Sequence, residues 1–189
     1  IRNKITPILL NNTVTGRNIS LVISQDEFKR ALNVIHGEIF GVAKKINIAI
    51  FGHGTVGGTL ISQILESAKN IEKRKGIKLN VFAIANSKKV LLNKFGISEN
   101  WKATLEDKGQ DYKLEDIIAY AKEHHLENLI AIDNTASSTF IENYISLAEN
   151  SFDLISSNKV ANTVSIDFYK KLRKVLKDNQ KEYLYETNV

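Results

Sequence analysis

Apolar residues in this chain follow two alternating patterns. Mainly apolar runs at 46–51, 79–85, 129–133 and 152–156 are rich in Ile and Ala and lack polar alternation, as strands do when helices cover both faces of their sheet. Between them, apolar residues recur three and four positions apart, which predicts helices over 55–69, 113–124, 138–149 and 164–179. A short last strand is expected at 183–185, and 87–109, which holds Trp101, reads as a long irregular connection. Strand and helix in strict alternation describe an α/β fold, a doubly wound parallel sheet with crossover helices.

The first 43 residues read differently. Asn18 to Ile23 predicts a short strand, and Ser24 with Glu27 three positions later predicts a capping box opening a helix. On that helix Phe28, Ala31, Leu32, Ile35 and Ile39 form one apolar stripe. One strand and one helix are too little for a core of their own, so 1–43 reads as the end of something larger. No element is assigned to residues 1–15.

Length and composition narrow the picture. With 189 residues, 43% of them hydrophobic, the chain can build one core of the usual ~100–150 residue size plus an appendage, and a complete two-domain enzyme would be a tight fit. It has no cysteine, which excludes disulfides and thiolate zinc sites. Neither a leader pattern nor an apolar span of ~20 residues is seen, so a cytoplasmic protein away from membranes is expected. The net charge of +5 raises nucleic acid as a partner. Yet one basic run, Lys69 to Lys78, falls at a predicted helix end, and the other, Lys170 to Lys177, on the polar face of an amphipathic helix, where solvation and the helix dipole account for them. The histidines offer no metal site, since His124 and His125 adjoin near a helix end while His36 and His53 belong to other elements.

The strongest local signal follows the first buried strand: Gly52-His53-Gly54-Thr55-Val56-Gly57-Gly58, then a helix with Leu60, Ile61, Ile64 and Leu65. G-x-G-x-x-G between strand and helix is the dinucleotide-binding fingerprint of a Rossmann-like sheet. Gly52 permits the tight turn, Gly54 lets the main chain approach a pyrophosphate, and Gly57 lets helix and strand pack closely. Free N–H groups at the helix start face the phosphates. A tight turn in another doubly wound protein, or a methyltransferase loop, would share part of this pattern. A P-loop is excluded because no Lys-Ser/Thr follows.

The end of the second strand decides between dinucleotides, since an acid there grips a ribose 2′-hydroxyl and a cation favours a 2′-phosphate. Here stand Ala85, Asn86, Ser87, Lys88 and Lys89, donors and cations that favour NADP over NAD. Asn86 follows Gly52 by 34 positions rather than the usual ~20, an excess assigned to a basic insertion around 73–78.

Three more clusters complete the series: Asp133-Asn134-Thr135-Ala136-Ser137-Ser138, Ser157-Asn158-Lys159-Val160-Ala161-Asn162-Thr163, and Tyr185-Glu186-Thr187-Asn188-Val189. Together with the glycine loop and Ala85 to Lys88, they resemble homoserine dehydrogenase over roughly 45–189. The likeness is to the C-terminal half of bifunctional aspartokinase/homoserine dehydrogenase, and Gly16 to Val22 with the following helix is similar to the end of its regulatory ACT region.

That resemblance implies NADP(H)-dependent interconversion of L-aspartate 4-semialdehyde and L-homoserine, in the pathway to threonine and methionine. It implies cofactor binding by Gly52, Gly54, Thr55, Val56, Gly57, Ala85, Asn86, Ser87, Lys88, Thr135, Ser137 and Lys159. Lys159 is the implied catalytic residue, orienting substrate and stabilising charge on its oxygen. Thr135 and Ser137 would face the nicotinamide, although Ser137 or Ser138 could equally cap the next helix. Asn134 and Ala136 stand where relatives commonly carry Cys and Ser. Backbone carbonyls of Glu186 and Val189 are implied ligands of a monovalent cation, sodium. The family's substrate-binding domain and most of its dimer-forming sheet are expected after Val189, so the isolated chain is expected to bind cofactor without turning over homoserine, and the full-length enzyme to be a homo-oligomer. A non-catalytic dinucleotide-sensing module is the rival reading, against which Lys159 argues.

Overall fold

The computed structural model describes residues 5–13, 18–39 and 44–185, apart from the side chains of 36–39, 161 and 162. The chain divides into two compact units, Ile1–Val42 and Ala43–Val189. In the first, β1 (Leu9–Asn12) pairs antiparallel with β2 (Ile19–Val22), Leu9 lying opposite Val22. A 3-10 turn at Gln25–Glu27 leads into α1 (Phe28–Ile39). β1 adds an element where none was expected: Ile8-Leu9-Leu10 is too short to show a period, and pairing with β2 makes a strand of Leu9–Asn12. The capping box is corrected. Ser24 caps nothing with its side chain; its hydroxyl serves the Asp26 carboxyl, holding that group below its usual value, while its carbonyl accepts the Glu27 N–H. The stripe on α1 is largely open, with Phe28, Leu32 and Ile35 exposed and Ala31 buried.

In the second unit seven strands form one sheet in the order β6-β5-β4-β3-β7-β8-β9. They are β3 (Lys44–Phe51), β4 (Ile77–Ala85), β5 (Lys89–Leu92), β6 (Gln110–Asp111), β7 (Leu129–Asp133), β8 (Phe152–Ser156) and β9 (Tyr183–Tyr185). β4, β3, β7, β8 and β9 run parallel. β5 and β6 add antiparallel at one edge. The helices are α2 (Thr55–Lys75), α3 (Trp101–Lys108), α4 (Leu114–Glu123), α5 (Asn143–Glu149) and α6 (Ile166–Asp178).

Both faces of the sheet are covered, and β3 shows how. Its Ala49 and Phe51 join one core with Phe82, Ile117, Leu147 and Leu172. Its Ile48 and Ile50 join the other, with Ile61, Ile84, Trp101 and Leu105. Successive side chains of a strand point to opposite faces, so a strand buried on both sides needs an unbroken apolar run. Each large side chain so buried contributes roughly 1.5–3 kcal/mol.

The connection over 87–109 is not irregular, as the spacing suggested: it holds β5 and α3. Val90 and Leu91 are buried where β5 extends the sheet, and Trp101 with Leu105, one helical turn apart, anchor α3. α5 is shorter than expected, because Phe140–Glu142 form a 3-10 turn before it. α2 runs on to Lys75 and stops at Gly76, whose φ of +63° suits the left-handed cap. The long spacing between Gly52 and Asn86 is therefore a longer helix, with its basic run in the last turn. On α6, Leu172 and Leu176 are buried while Lys170, Lys171, Arg173, Lys174 and Lys177 are exposed, a solvated face as the periodicity predicts.

Candidate functional site

Parallel pairing brings the C-terminal ends of β4, β3, β7 and β8 to one edge, in that order. Backbone bonds lace the loops beyond them. The Gly52 N–H donates to the Ala85 carbonyl at 2.8 Å, Asn134 N–H to Phe51 at 2.8 Å, and Ser157 N–H to Asp133 at 3.0 Å. Four predicted clusters thus stand side by side. The chain leaves β3 toward β4 on one side and returns to β7 on the other, so the crevice at this edge is the switch point where ligands of such sheets bind.

The three fingerprint glycines answer to different demands. Gly52 has φ +82°, and a Cβ on it would stand 2.9 Å from backbone atoms of Asn134 and Thr135. At Gly57 a Cβ would stand 2.0 Å from the Gly52 carbonyl oxygen, so the start of α2 can close on the loop only without a side chain. Gly54 is the contrast: a Cβ there meets nothing within 4 Å, and its φ of −63° suits any residue. The fold does not require glycine at 54, but a ligand lying against this backbone would. α2 begins here with no side-chain cap and no acidic residue in its first turn, leaving the positive end of its dipole open. Val56 is 61% exposed beside it.

On the β4 side, Asn86 is turned inward. Its Oδ1 accepts the backbone N–H groups of Lys88 (2.8 Å) and Lys89 (2.7 Å), and its Nδ2 lies 3.0 Å from His53 Nε2. Lys89 is engaged as well: its ammonium bonds the Glu106 carbonyl and lies 3.6 Å from the Glu106 carboxylate. Ser87 and Lys88 remain exposed. Asn86 Oδ1, one Nδ2 hydrogen and the Lys89 ammonium are thus engaged within the protein, while Ser87 and Lys88 stand open.

Beyond β7 and β8 the loops are held by a buried polar network. The Asp133 carboxylate, 3% exposed, accepts from Thr135 N–H at 2.8 Å, from the Tyr144 hydroxyl at 2.6 Å and from Asn158 Nδ2 at 3.1 Å. Asn158 Nδ2 also lies 2.9 Å from the Ser137 carbonyl oxygen, and Asn158 Oδ1 accepts the Val160 N–H at 3.0 Å. Ser156 Oγ accepts the Asn158 N–H at 2.9 Å and lies 2.8 Å from the Tyr144 hydroxyl. One carboxylate therefore fixes the loop of Thr135 and Ser137 against the loop of Lys159, which stands exposed at the rim in a 3-10 turn. Ser137 does cap the turn after it, its Oγ accepting the Phe140 N–H at 3.2 Å. Burial, and next the Asp133 charge, push the Tyr144 hydroxyl well above the usual phenol value. Burial likewise raises Tyr183 and moves Tyr112 up to about 12.

The structure thus gathers Gly52, Gly54, Thr55, Val56, Gly57, Ala85, Asn86, Ser87, Lys88, Thr135, Ser137 and Lys159 along one edge. Glu186 and Val189 lie outside the described residues, as does the Asn162 side chain. Among the described residues no group of three His, Cys, Asp or Glu could hold a metal ion. Three residues that sequence reasoning gave no role are central here: His53, Asp133 and Tyr144. Asp133 offered a signal, as a lone acid ending an otherwise apolar strand, whereas Tyr144 looks like one more apolar position of its helix.

Comparison with known proteins agrees with this geometry. The profile of the family described as homoserine dehydrogenase, NAD binding domain, matches residues 52–186. A bifunctional aspartokinase/homoserine dehydrogenase of Buchnera aphidicola is 37% identical over 98% of this chain and 23% of its own length. One of Haemophilus influenzae is 33% identical over 92% of this chain and 21% of its own. The chain thus spans under a quarter of the length of these relatives. Among solved structures, a hyperthermophilic archaeal homoserine dehydrogenase mutant in complex with NADPH is 25% identical, with a TM-score of 0.58 over 75% of this chain and 44% of that one. The homoserine dehydrogenase of Thermoplasma acidophilum, 16% identical, shares the fold with a TM-score of 0.60 over 76% of this chain and 43% of its own.

Proposed function

This chain belongs to the homoserine dehydrogenase family through its NAD-binding domain, and from that premise we propose that its sheet edge binds NADP(H) as the cofactor half of an enzyme interconverting L-aspartate 4-semialdehyde and L-homoserine. Gly54 carries the reading. It is the fingerprint glycine that the fold itself leaves free, and it stands at the open N-terminus of a 21-residue helix, where backbone N–H groups and the dipole favour a pyrophosphate. The NADPH complex of the archaeal relative supports the choice of nucleotide.

In this reading Gly52, Gly54, Thr55, Val56 and Gly57 hold the pyrophosphate, with Ala85 giving the ribose a close backbone. Ser87 and Lys88 meet the 2′-phosphate, hydroxyl and ammonium both donating to it. Thr135 and Ser137 line the nicotinamide side. When bound, the nicotinamide supplies or accepts the hydride. Lys159, on the loop that Asp133 fixes through Asn158, donates a hydrogen bond to the substrate oxygen and stabilises charge there.

Further assignments follow the family. Carbonyls of Glu186 and Val189 hold a monovalent cation, sodium, whose hard character suits oxygen donors. Residues 1–43 are the end of the regulatory region of a fused aspartokinase, a reading favoured by an alignment with the Buchnera protein that covers nearly the whole chain. The full-length protein is a cytoplasmic homo-oligomer acting on a small molecule.

Calorimetric titration of the chain with NADPH and with NADH tests the cofactor assignment. NADH lacks the 2′-phosphate and so forgoes a charge-assisted hydrogen bond, which should weaken its binding about tenfold or more, and Lys88→Ala should erase most of that gap. Equal affinities would overturn the NADP preference, and no binding of either nucleotide would overturn the site.

A further inference from the structure

His53, between the first two fingerprint glycines, reaches across to the next strand. Its Nε2 lies 3.0 Å from Asn86 Nδ2, and its ring meets Trp101 edge-on with 5.2 Å between centroids. The direction of the His53–Asn86 bond follows from the other bonds of Asn86. Because Asn86 Oδ1 accepts two backbone N–H groups, flipping the amide would set its NH2 against both donors. Nδ2 is therefore the atom facing His53, and an amide nitrogen only donates. Nε2 must accept, which makes the imidazole neutral with its proton on Nδ1.

We propose that His53 is a positioning residue for nucleotide recognition. Its neutral ring latches the Asn86 turn to the glycine loop and so fixes Ser87 and Lys88 where a ribose 2′-phosphate must be met. The inference rests on the reading of this edge as a nucleotide site. A dinucleotide has to be gripped at its pyrophosphate and at its adenosine ribose together, by loops that leave different strands. The backbone joins those loops at Gly52 and Ala85; further out, beyond the end of β4, His53 and Asn86 join them through side chains. Trp101, buried on α3, backs the ring and limits its rotation. Lys89, drawn to Glu106 of the same helix, anchors the far side of the turn. The turn is thus held at both ends, with Ser87 and Lys88 presented between.

Without the latch the turn can pivot while the pyrophosphate site stays intact, so a nucleotide with a 2′-phosphate loses more than one without. His53→Phe keeps a ring against Trp101 and removes the acceptor. His53→Gln places an amide oxygen near the position of Nε2. Trp101 is the sole tryptophan, so its fluorescence can follow titration of the chain with either nucleotide. His53→Phe should weaken NADPH about fivefold to tenfold and NADH by about twofold at most, the scale of one hydrogen bond and its consequences, and His53→Gln should restore most of the difference. An unchanged NADPH affinity in His53→Phe, an equal loss for both nucleotides, or no rescue by Gln would overturn the latch. Nitrogen-15 NMR of the unsubstituted chain tests it without any substitution: a proton on Nδ1 is expected, and one on Nε2 would overturn it. If the unsubstituted chain binds neither nucleotide, the site reading fails and the latch with it; if it binds both and His53→Phe changes nothing, the latch alone fails.

Discussion

The two ends of the crevice are built from different materials. Around the glycine loop, shape comes from the backbone: a left-handed turn at Gly52, a carbonyl that leaves no space for a Cβ at Gly57, and an uncapped helix start. Around Thr135 and Lys159, shape comes from side chains, with Asp133, Tyr144, Ser156 and Asn158 bonded to one another beneath the loops. A site that must wrap a phosphate closely needs bare main chain. A site that must hold two loops in register can use a buried carboxylate, provided each of its lone pairs is satisfied.

Breaking the side-chain end should cost most. Asp133→Ala leaves the Thr135 N–H and one Asn158 N–H without the carboxylate and the Tyr144 hydroxyl with Ser156 Oγ as its remaining partner, at a cost of roughly 3–4 kcal/mol; urea unfolding measures it, and a loss below about 1 kcal/mol would mean that water replaces the carboxylate. Gly57→Ala should follow, at about 2–3 kcal/mol, because the helix start has to move away from the Gly52 carbonyl; a thermal melt unchanged from that of the unsubstituted chain would contradict the close packing there.

Tyr144→Phe should cost less, about 1 kcal/mol, since Asp133 keeps two of its three donors. This variant also sharpens a pH test. Tyr112, Tyr144 and Tyr183 are all raised, first by burial, so the folded state retains phenol protons that the unfolded chain loses near pH 10. Stability is therefore full below about pH 10 and falls above it, by at most about 1.4 kcal/mol per pH unit for each tyrosine, until the folded value is passed. For Tyr112 that value is about 12. Tyr144→Phe should make the alkaline slope shallower; an unchanged slope between about pH 10 and 11 would show that Tyr144 ionises freely in the folded state.

The same contrast explains what could be read from the amino-acid order. The parallel strands were legible because each is mainly apolar without polar alternation, and the glycine loop because its demands fall on six consecutive positions. The network was not, because the bonds that tie its elements together, Tyr144 to Asp133 and Asn158 to Asp133, join residues 11 and 25 positions apart, and nothing local marks Tyr144 as a partner of Asp133. β5 and α3 were hidden for a related reason. β5 has two buried residues, Val90 and Leu91, and α3 two, Trp101 and Leu105, too few to show a period, so each owes its form to the sheet edge it covers. At the β4 end the sequence placed Asn86 among the phosphate contacts because its amide can donate. Its engagement with His53 depends on two loops meeting, which spacing alone does not reveal.

Gly54→Val tests the central claim most directly, because it separates the fold from the ligand. With no atom within 4 Å of the added Cβ, the variant should still fold, losing roughly 1 kcal/mol because valine replaces glycine at the helix N-cap. Calorimetric titration with NADPH should nevertheless show binding by the unsubstituted chain and its loss in the variant. NADPH binding of equal strength in both would contradict the account, since the glycine the fold leaves free would then serve no bound pyrophosphate.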